Sequence, residues 1–178
     1  MKLLRLIAFA FVFFYNPLSH AELYFSPSLF YKTSEEGPSG SETERTETYY
    51  DIRLGYGMTT GLYFGGIYSG MTHEINDVEF TRSSYGASIG YVSDGWFLMG
   101  HYFIKSEYEV GSNAKYTDGS GFQADVGYWF KAFSQLSIGP QITYRTLSYE
   151  KLESGGASVD AEYEHKEFMP YLSLALIF

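Results

Sequence analysis

Serine, histidine and aspartate residues of the types found in catalytic triads could meet at one place in this chain. The dipeptide Asp94-Gly95 has the composition of a two-residue β-turn, which would place Ser88 directly opposite His101. Asp125 follows in a later segment that could run beside His101. A hydrogen-bonded line of these residue types is the arrangement that activates a serine nucleophile. This line is the first candidate for chemistry.

Charged side chains form a second candidate group, because they recur at alternate positions inside otherwise apolar segments. Side chains of a strand point alternately to its two faces, so these charges would share an inner face. The same turn register places Arg82 opposite Glu107, as an ion pair near the outer rim. Buried charges must be paired, which predicts a packed polar interior, and the alternative is a narrow gated pore. The predicted interior group is Asp51, Arg53, Arg82, Glu107, Asp125 and Arg145.

The segments that must position these residues alternate apolar and polar residues with period two, as strands do. Short and long connections follow one another in turn, and an even number of strands closes a barrel without free edges. The short turns are 59–61, 93–95 and 131–134, and the long polar links are 33–48, 72–81, 109–120 and 148–167. We predict an all-β, eight-stranded antiparallel up-and-down transmembrane β-barrel with strands at 23–32, 49–58, 62–71, 82–92, 96–108, 121–130, 135–147 and 168–178.

The composition favours a membrane barrel. Aromatic residues make up 20% of the chain, yet its mean hydropathy is −0.17. A lipid face and aromatic girdles need Tyr, Phe and Leu, while the inner face and the loops stay polar. A soluble lipocalin-type barrel, with its apolar side chains inside, is the competing fold. The phase of the third segment is ambiguous, since Leu62 and Phe64 compete with Tyr63 and Ile67 for the apolar face.

The first 21 residues have the pattern of a secretory signal peptide. Lys2 and Arg5 precede an apolar run at 6–15, and a cleavage point follows Ala21. We therefore predict a signal peptide at 1–21 and one barrel domain at 22–178. Cleavage removes two of the 12 basic residues and none of the 21 acidic ones, so the formal net charge falls from −9 to −11. This balance argues against nucleic acid as a partner. The absence of cysteine excludes disulfides and thiolate chemistry.

The last residues carry a pattern of their own: Phe178 ends the chain, with Leu176 and Leu174 two and four positions before it. Together with the signal peptide, the eight segments and the turn alternation, this pattern makes residues 22–178 resemble the small eight-stranded outer-membrane proteins of Gram-negative bacteria, the OmpA-type transmembrane domain and the OmpX-type barrels. In that family the barrel-assembly machinery reads the terminal pattern. The resemblance therefore implies that Leu174, Leu176 and Phe178 are an assembly signal. Nothing follows Phe178, so an OmpA-type periplasmic domain is not expected.

The resemblance implies a monomer in the bacterial outer membrane, in contact with outer-membrane lipids and lipopolysaccharide. We expect no enzyme activity, no cofactor and no metal. The first hypothesis is a structural or surface-interaction role, in which the barrel anchors four extracellular loops that meet an external ligand. The alternatives are a small or gated pore and an outer-membrane lipid-modifying enzyme, although the His-x-Ser pattern of lipid A deacylases is missing. Acidic residues in the long links, such as Glu162 and Glu164, are interpreted as solvated surface or as bridges through divalent cations to lipid A.

Overall fold

Alternating apolar and polar residues fold this chain into long antiparallel strands. The computed structural model describes residues 21–36, 43–75, 78–111 and 114–178, so the predicted signal peptide lies outside the described residues except for Ala21. Within those ranges, no helix is long and apolar enough to cross a membrane. The strands are β1 (Glu22–Glu36), β2 (Thr43–Gly57), β3 (Leu62–Ile75), β4 (Val78–Ser93), β5 (Trp96–Val110), β6 (Ala114–Tyr128), β7 (Phe130–Lys131), β8 (Leu136–Ser154) and β9 (Ala157–Ile177).

The strands close into a ring. Strands β1 to β6 pair in sequence order, β9 pairs with both β1 and β8, and β8 also pairs with β6. Gly127 pairs with Gln141. Phe130 pairs with Ile138 in the same unshifted register, so the two-residue β7 continues the line of β6. Pro140 lies between these pairs and has no N–H to donate, which explains the gap in the ladder. The eight-stranded up-and-down β-barrel predicted from the sequence is confirmed.

The outer wall of the barrel is apolar across its middle, where side chains such as Leu54 are more than half exposed. In β3, Leu62 and Phe64 are exposed while Tyr63 and Ile67 are buried, which resolves the ambiguous phase of this strand. Aromatic side chains lie at the two ends of the apolar band, as in the girdles that flank a membrane. The lower girdle, next to the short turns, includes Tyr56, Tyr91, Trp96 and Phe130, and the upper girdle includes Tyr31, Tyr68, Tyr85, Tyr144 and Phe168.

The strands continue beyond the upper girdle. β8 and β9 extend furthest and are joined by Gly155 and Gly156, which both adopt positive φ angles of 59° and 83°. The sequence indicated loops here because the apolar alternation stops, but the hydrogen bonds of a ladder need no apolar face. The long loops expected at 33–48, 72–81, 109–120 and 148–167 are therefore wrong over most of their length.

The interior of the barrel is filled in layers. Next to the short turns lies an aromatic plug, in which the rings of Phe97 and Trp129 stack with centroids 4.1 Å apart. Gly127 makes this approach possible, since a Cβ atom there would lie 2.4 Å from the Phe97 ring. A polar layer follows, and then two apolar clusters, one around Met71 and one around Leu147. The aromatic plug consists of Tyr24, Tyr63, Phe97, Met99, Trp129 and Ala175.

Candidate functional site

Polar and charged side chains fill the middle of the barrel, and we call this group the polar core. Its members occupy inward positions of strands whose outward positions are apolar, as Asp51 and Arg53 do on either side of Ile52. Five of the six predicted interior charges lie here, each at most 4% exposed: Asp51, Arg53, Arg82, Asp125 and Arg145. The strands β2, β4, β6 and β8 therefore bring together residues that are far apart in sequence.

Arg53 organises the half of the polar core nearer the aromatic plug. Its guanidinium donates hydrogen bonds to Asp125 Oδ2 at 2.9 Å and to Gln141 Oε1 at 2.6 Å. It also donates to the hydroxyl oxygens of Ser28 and Ser173. One side chain from β2 thus connects to β1, β6, β8 and β9, so that strands on opposite sides of the lumen are tied to each other.

Arg145 organises the other half. It donates hydrogen bonds to Asp51 Oδ1 at 2.7 Å, to Glu167 Oε2 at 2.9 Å and, through Nε, to Gln123 Oε1 at 2.6 Å. Arg82 donates to the second oxygen of Glu167. Glu167 therefore joins β4 to β8 from its position on β9. The sequence interpretation missed this role because Glu167 was assigned to the last long link. Its spacing, on the same strand face as Met169 and Tyr171, could have indicated the inward position.

The polar core is electrically balanced. Each of its arginines has a carboxylate oxygen within 2.9 Å, and each of its carboxylates has an arginine nitrogen within the same distance. Gln123 links the two halves, because its amide donates at 2.8 Å to both Asp51 and Asp125. Burying charge is costly unless the charges are paired and hydrogen-bonded. The balanced set is Arg53, Arg82 and Arg145 against Asp51, Asp125 and Glu167.

Glu107 does not join the polar core. The β4–β5 register shifts by one residue beyond Gly86, so that Arg82 lies opposite Tyr108. The ion pair expected between Arg82 and Glu107 is therefore wrong, because a single register counted from the turn cannot include a β-bulge. Glu107 is instead paired at 2.7 Å with the amines of Lys105 and Lys115.

The line of Ser88, His101 and Asp125 forms as the turn register predicts. Ser88 lies opposite His101, with its Oγ 2.7 Å from His101 Nδ1. His101 Nε2 lies 2.9 Å from Asp125 Oδ2, an oxygen that also accepts a hydrogen bond from Arg53. All three residues are buried, with Ser88 the most exposed at 5%. In this setting the line satisfies the hydrogen bonding of three polar groups inside the polar core.

Comparisons with known proteins define the fold. No family model matches the chain, and no curated protein matches it either. Among solved structures, Neisserial surface protein A superposes with a TM-score of 0.50 and 16% identity, over 89% of this chain and 99% of that one. The translocator domain of the autotransporter NalP from Neisseria meningitidis gives a TM-score of 0.41 and 14% identity, over 99% of this chain and 68% of that one.

The β domain of the Bordetella autotransporter BrkA gives a TM-score of 0.43 and 13% identity, over 86% of this chain and 69% of that one. At such identities a structural likeness describes the fold alone. The likeness to Neisserial surface protein A, together with the closed ring of strands, shows that this chain has the fold of a small bacterial outer-membrane β-barrel. This supports an outer-membrane location. A particular kinship with OmpA-type or OmpX-type barrels stays a prediction.

Proposed function

We propose that this protein is an outer-membrane anchor whose extended outer strands take part in surface interactions, without enzyme activity. The observation that carries the proposal is the balanced polar core. Arg53 and Arg145 lie across the lumen at 0% exposure, and the aromatic plug lies beneath them. An eight-stranded barrel is just wide enough for side chains to fill it. With the lumen occupied by paired side chains, the strand extensions are the surface left for a function.

The orientation follows from the lengths of the connections. Short turns face the periplasm and long connections face the outside in barrels of this type. β8 runs ten residues past Tyr144 to Ser154, an extension of about 30 Å at the rise of a β-strand. In this proposal the signal peptide at 1–21 exports the chain, and the barrel is a monomer surrounded by lipids and lipopolysaccharide.

The assembly signal fits the same proposal. Phe178 exchanges two backbone hydrogen bonds of 3.0 Å with Leu23, so the last residue closes the ring at its lower end. Leu174 and Leu176 lie on β9 just before it, at alternate positions of one strand face. We propose that the barrel-assembly machinery reads these three residues before β9 pairs with β1.

Trimming the extensions tests the surface role. Replacing residues 147–165 with Asn-Gly joins Thr146 to Lys166, which are register partners in the β8–β9 ladder. Vesicles carrying the full chain should adhere to bacterial or epithelial cells, and vesicles with the trimmed barrel should not. Replacing residues 74–79 in the β3–β4 hairpin in the same way is the matched control for shortening alone. Retained heat-modifiable migration shows that each barrel is folded. Equal adhesion after all extensions are trimmed would contradict the proposal.

A gated pore is the second candidate, and one observation favours it. Nε and Nη2 of Arg82 and Nε of Arg53 are buried without a hydrogen-bond partner among the described residues. Free donors of this kind suit a hydrated path along the lumen. Arg53→Ala and Arg145→Ala should change ion conductance only if such a path exists.

A lipid-modifying enzyme is the third candidate, favoured by the geometry of Ser88, His101 and Asp125. Burial of Ser88 separates its hydroxyl from the lipid face of the barrel. Ser88→Ala and His101→Ala should therefore leave the lipid A of expressing cells unchanged by mass spectrometry. Loss of a lipid A species in both variants would promote this candidate over the anchor.

A further inference from the structure

The ladder between β1 and β9 ends part-way up the barrel. Its last pair is Leu29 with Leu172. Beyond that pair β1 continues for seven residues to Glu36, and β9 extends for fifteen residues to Ala157. Among the residues that the structure describes, neither stretch has a ladder partner on this side. The neighbouring ladders β1–β2 and β8–β9 run to the ends of their strands. The barrel is therefore sealed at its lower end and split at its outer end.

Pro170 explains where the split begins. Hydrogen-bonded pairs recur at every second residue of an antiparallel ladder. The mutual bonds between the two strand ends fix the phase, so that Leu29–Leu172 is such a pair. The next one would join Tyr31 to Pro170, and proline has no N–H to donate. The seam opens at this level, where Tyr31 also belongs to the upper girdle.

Within the described part of the chain, the open side of β9 presents backbone groups that have no ladder partner. By the same alternation, Glu164, Lys166 and Phe168 direct their N–H and C=O groups away from β8 and toward the split. Their side chains point to the outer face of the barrel and are exposed. We call residues 162–168 the β9 edge. An edge of this kind can accept a further strand through main-chain hydrogen bonds.

The side chains of the β9 edge define which strand would fit. Acidic residues dominate its outer face, where Glu162 and Glu164 are exposed and Lys166 already pairs with Glu164 at 2.9 Å. On its inner face Tyr163 and His165 are half-buried and belong to an aromatic group. Opposite charges across a strand pair are stabilising and like charges are destabilising. A second copy of β9 would place acidic residues against acidic residues, which disfavours self-association here.

We propose that the β9 edge binds an extended, basic polypeptide segment as an added β-strand. Basic side chains of that segment face Glu162 and Glu164, and the apolar or aromatic residues between them face Tyr163 and His165. The chain as a whole carries a formal net charge of −9, which attracts such a segment over a longer range. This inference rests on the proposed surface-interaction function and names its site and its class of partner.

The test uses the full barrel in lipid nanodiscs and a fluorescent peptide, Lys-Val-Lys-Tyr-Lys-Val-Lys, read by fluorescence anisotropy. Reversing charge on the β9 edge with Glu162→Lys and Glu164→Lys should weaken binding about tenfold or more. The matched control is Glu74→Lys with Glu79→Lys, the same charge change on exposed residues of the complete β3–β4 ladder. It should weaken binding no more than about twofold. Equal losses in the two variants would overturn the proposal.

Backbone pairing is tested separately from charge. Two peptides are N-methylated at alternate residues, one at the lysines and one at the residues between them, and both keep their charged side chains. The peptide that loses the N–H donors facing β9 should bind about tenfold more weakly than the other. Equal affinity of the two peptides would mean that only electrostatic attraction acts, and would overturn strand addition. A dimer of the barrel that persists in the presence of peptide would assign the edge to a second copy of this chain.

The opening itself can be tested with engineered disulfides, because the chain has no cysteine. Ser26→Cys with Ala175→Cys lies within the ladder and should oxidise fully. Lys32→Cys with Met169→Cys lies three positions beyond the last pair and should oxidise poorly. Equal oxidation of the two pairs would show a closed seam and overturn the inference. If peptide binding fails while trimming residues 147–165 still abolishes adhesion, the β9 edge is wrong and the surface function stands.

Discussion

Below the upper girdle, the strands of this barrel are paired around the ring and the inward charges have partners. Beyond the girdle, β1 and β9 are no longer paired, and acidic side chains such as Glu162 and Glu164 are exposed. The lower half faces hydrocarbon, where an unpaired backbone group costs several kcal/mol and has no water to bind. The outer half faces water, which satisfies a free strand edge at little cost.

This difference teaches where the molecule can carry specificity. The lower half is surrounded by hydrocarbon. Its sequence must therefore pair every strand around the ring and fill the lumen with the aromatic plug and the balanced polar core. The outer half is free of that constraint, so an unpaired strand edge can persist there. The residues that stabilise the barrel should therefore lie below the girdle, and those that contact a partner should lie above it. Each of the following substitutions tests this division.

The largest effect is expected from Arg145→Ala in the polar core. It leaves Asp51 without its buried cation, and should lower the free energy of unfolding by about 3–5 kcal/mol. Urea unfolding in lipid vesicles, followed by electrophoretic mobility, measures this. The double variant Asp51→Leu with Arg145→Met removes both charges and should lose less than Arg145→Ala alone. A loss below about 1 kcal/mol for Arg145→Ala would mean that the core is already hydrated.

A smaller effect is expected where the aromatic plug meets the wall. Gly127→Ala places a Cβ atom against the Phe97 ring and should cost about 1–3 kcal/mol through overpacking. Gly100→Ala is the matched control, because a Cβ atom there would lie 4.0 Å from the Ile89 carbonyl oxygen, an ordinary van der Waals distance. The same unfolding assay should show no loss for this control. Equal behaviour of the two variants would deny that the plug is tightly packed.

The sealed part of the β1–β9 seam offers a third comparison. Pro27 lies at a hydrogen-bonded position opposite Leu174 and cannot donate, and the Ser26 hydroxyl donates to the Leu174 carbonyl at 2.7 Å instead. Ser26→Ala should cost about 1–2 kcal/mol, because it leaves that carbonyl unsatisfied in the membrane. Adding Pro27→Ala restores a backbone donor and should recover most of the loss. If Pro27→Ala does not recover the stability, the Ser26 hydroxyl does not compensate for the missing N–H of Pro27.

The smallest effect is expected in the outer half. Lys166 and Glu164 form an ion pair of 2.9 Å with both side chains more than half exposed. Solvent and salt screen such a pair, and holding it costs side-chain entropy. Lys166→Ala should leave the unfolding midpoint of the barrel unchanged while it increases the negative charge of the β9 edge. A clear downward shift of the midpoint would mean that the outer half contributes to stability after all.

The fold could be predicted from the sequence because lipid enforces a regular alternation. The Asp94-Gly95 turn adopts positive φ at both residues, 51° and 86°, and its register correctly placed Ser88 opposite His101. Glu107 was misplaced because the bulge beyond Gly86 leaves no mark in composition. Glu167 was missed for a different reason: the polar residues before it on β9 lack the apolar alternation that indicates a strand, so the predicted strand began only at Phe168, although the ladder continues. Neither the split of the seam nor the pairing of the polar core can be read without the register of every strand.

The most direct test of the account is planar-bilayer conductance of the refolded full barrel, with Arg53→Ala and Arg145→Ala measured beside it. Heat-modifiable migration confirms that each sample is folded before it is added. We expect the wild-type barrel to leave the bilayer silent, because the aromatic plug and the polar core fill its lumen. Reproducible single-channel steps in the wild type that change in both variants would contradict the sealed barrel and establish a pore lined by these arginines.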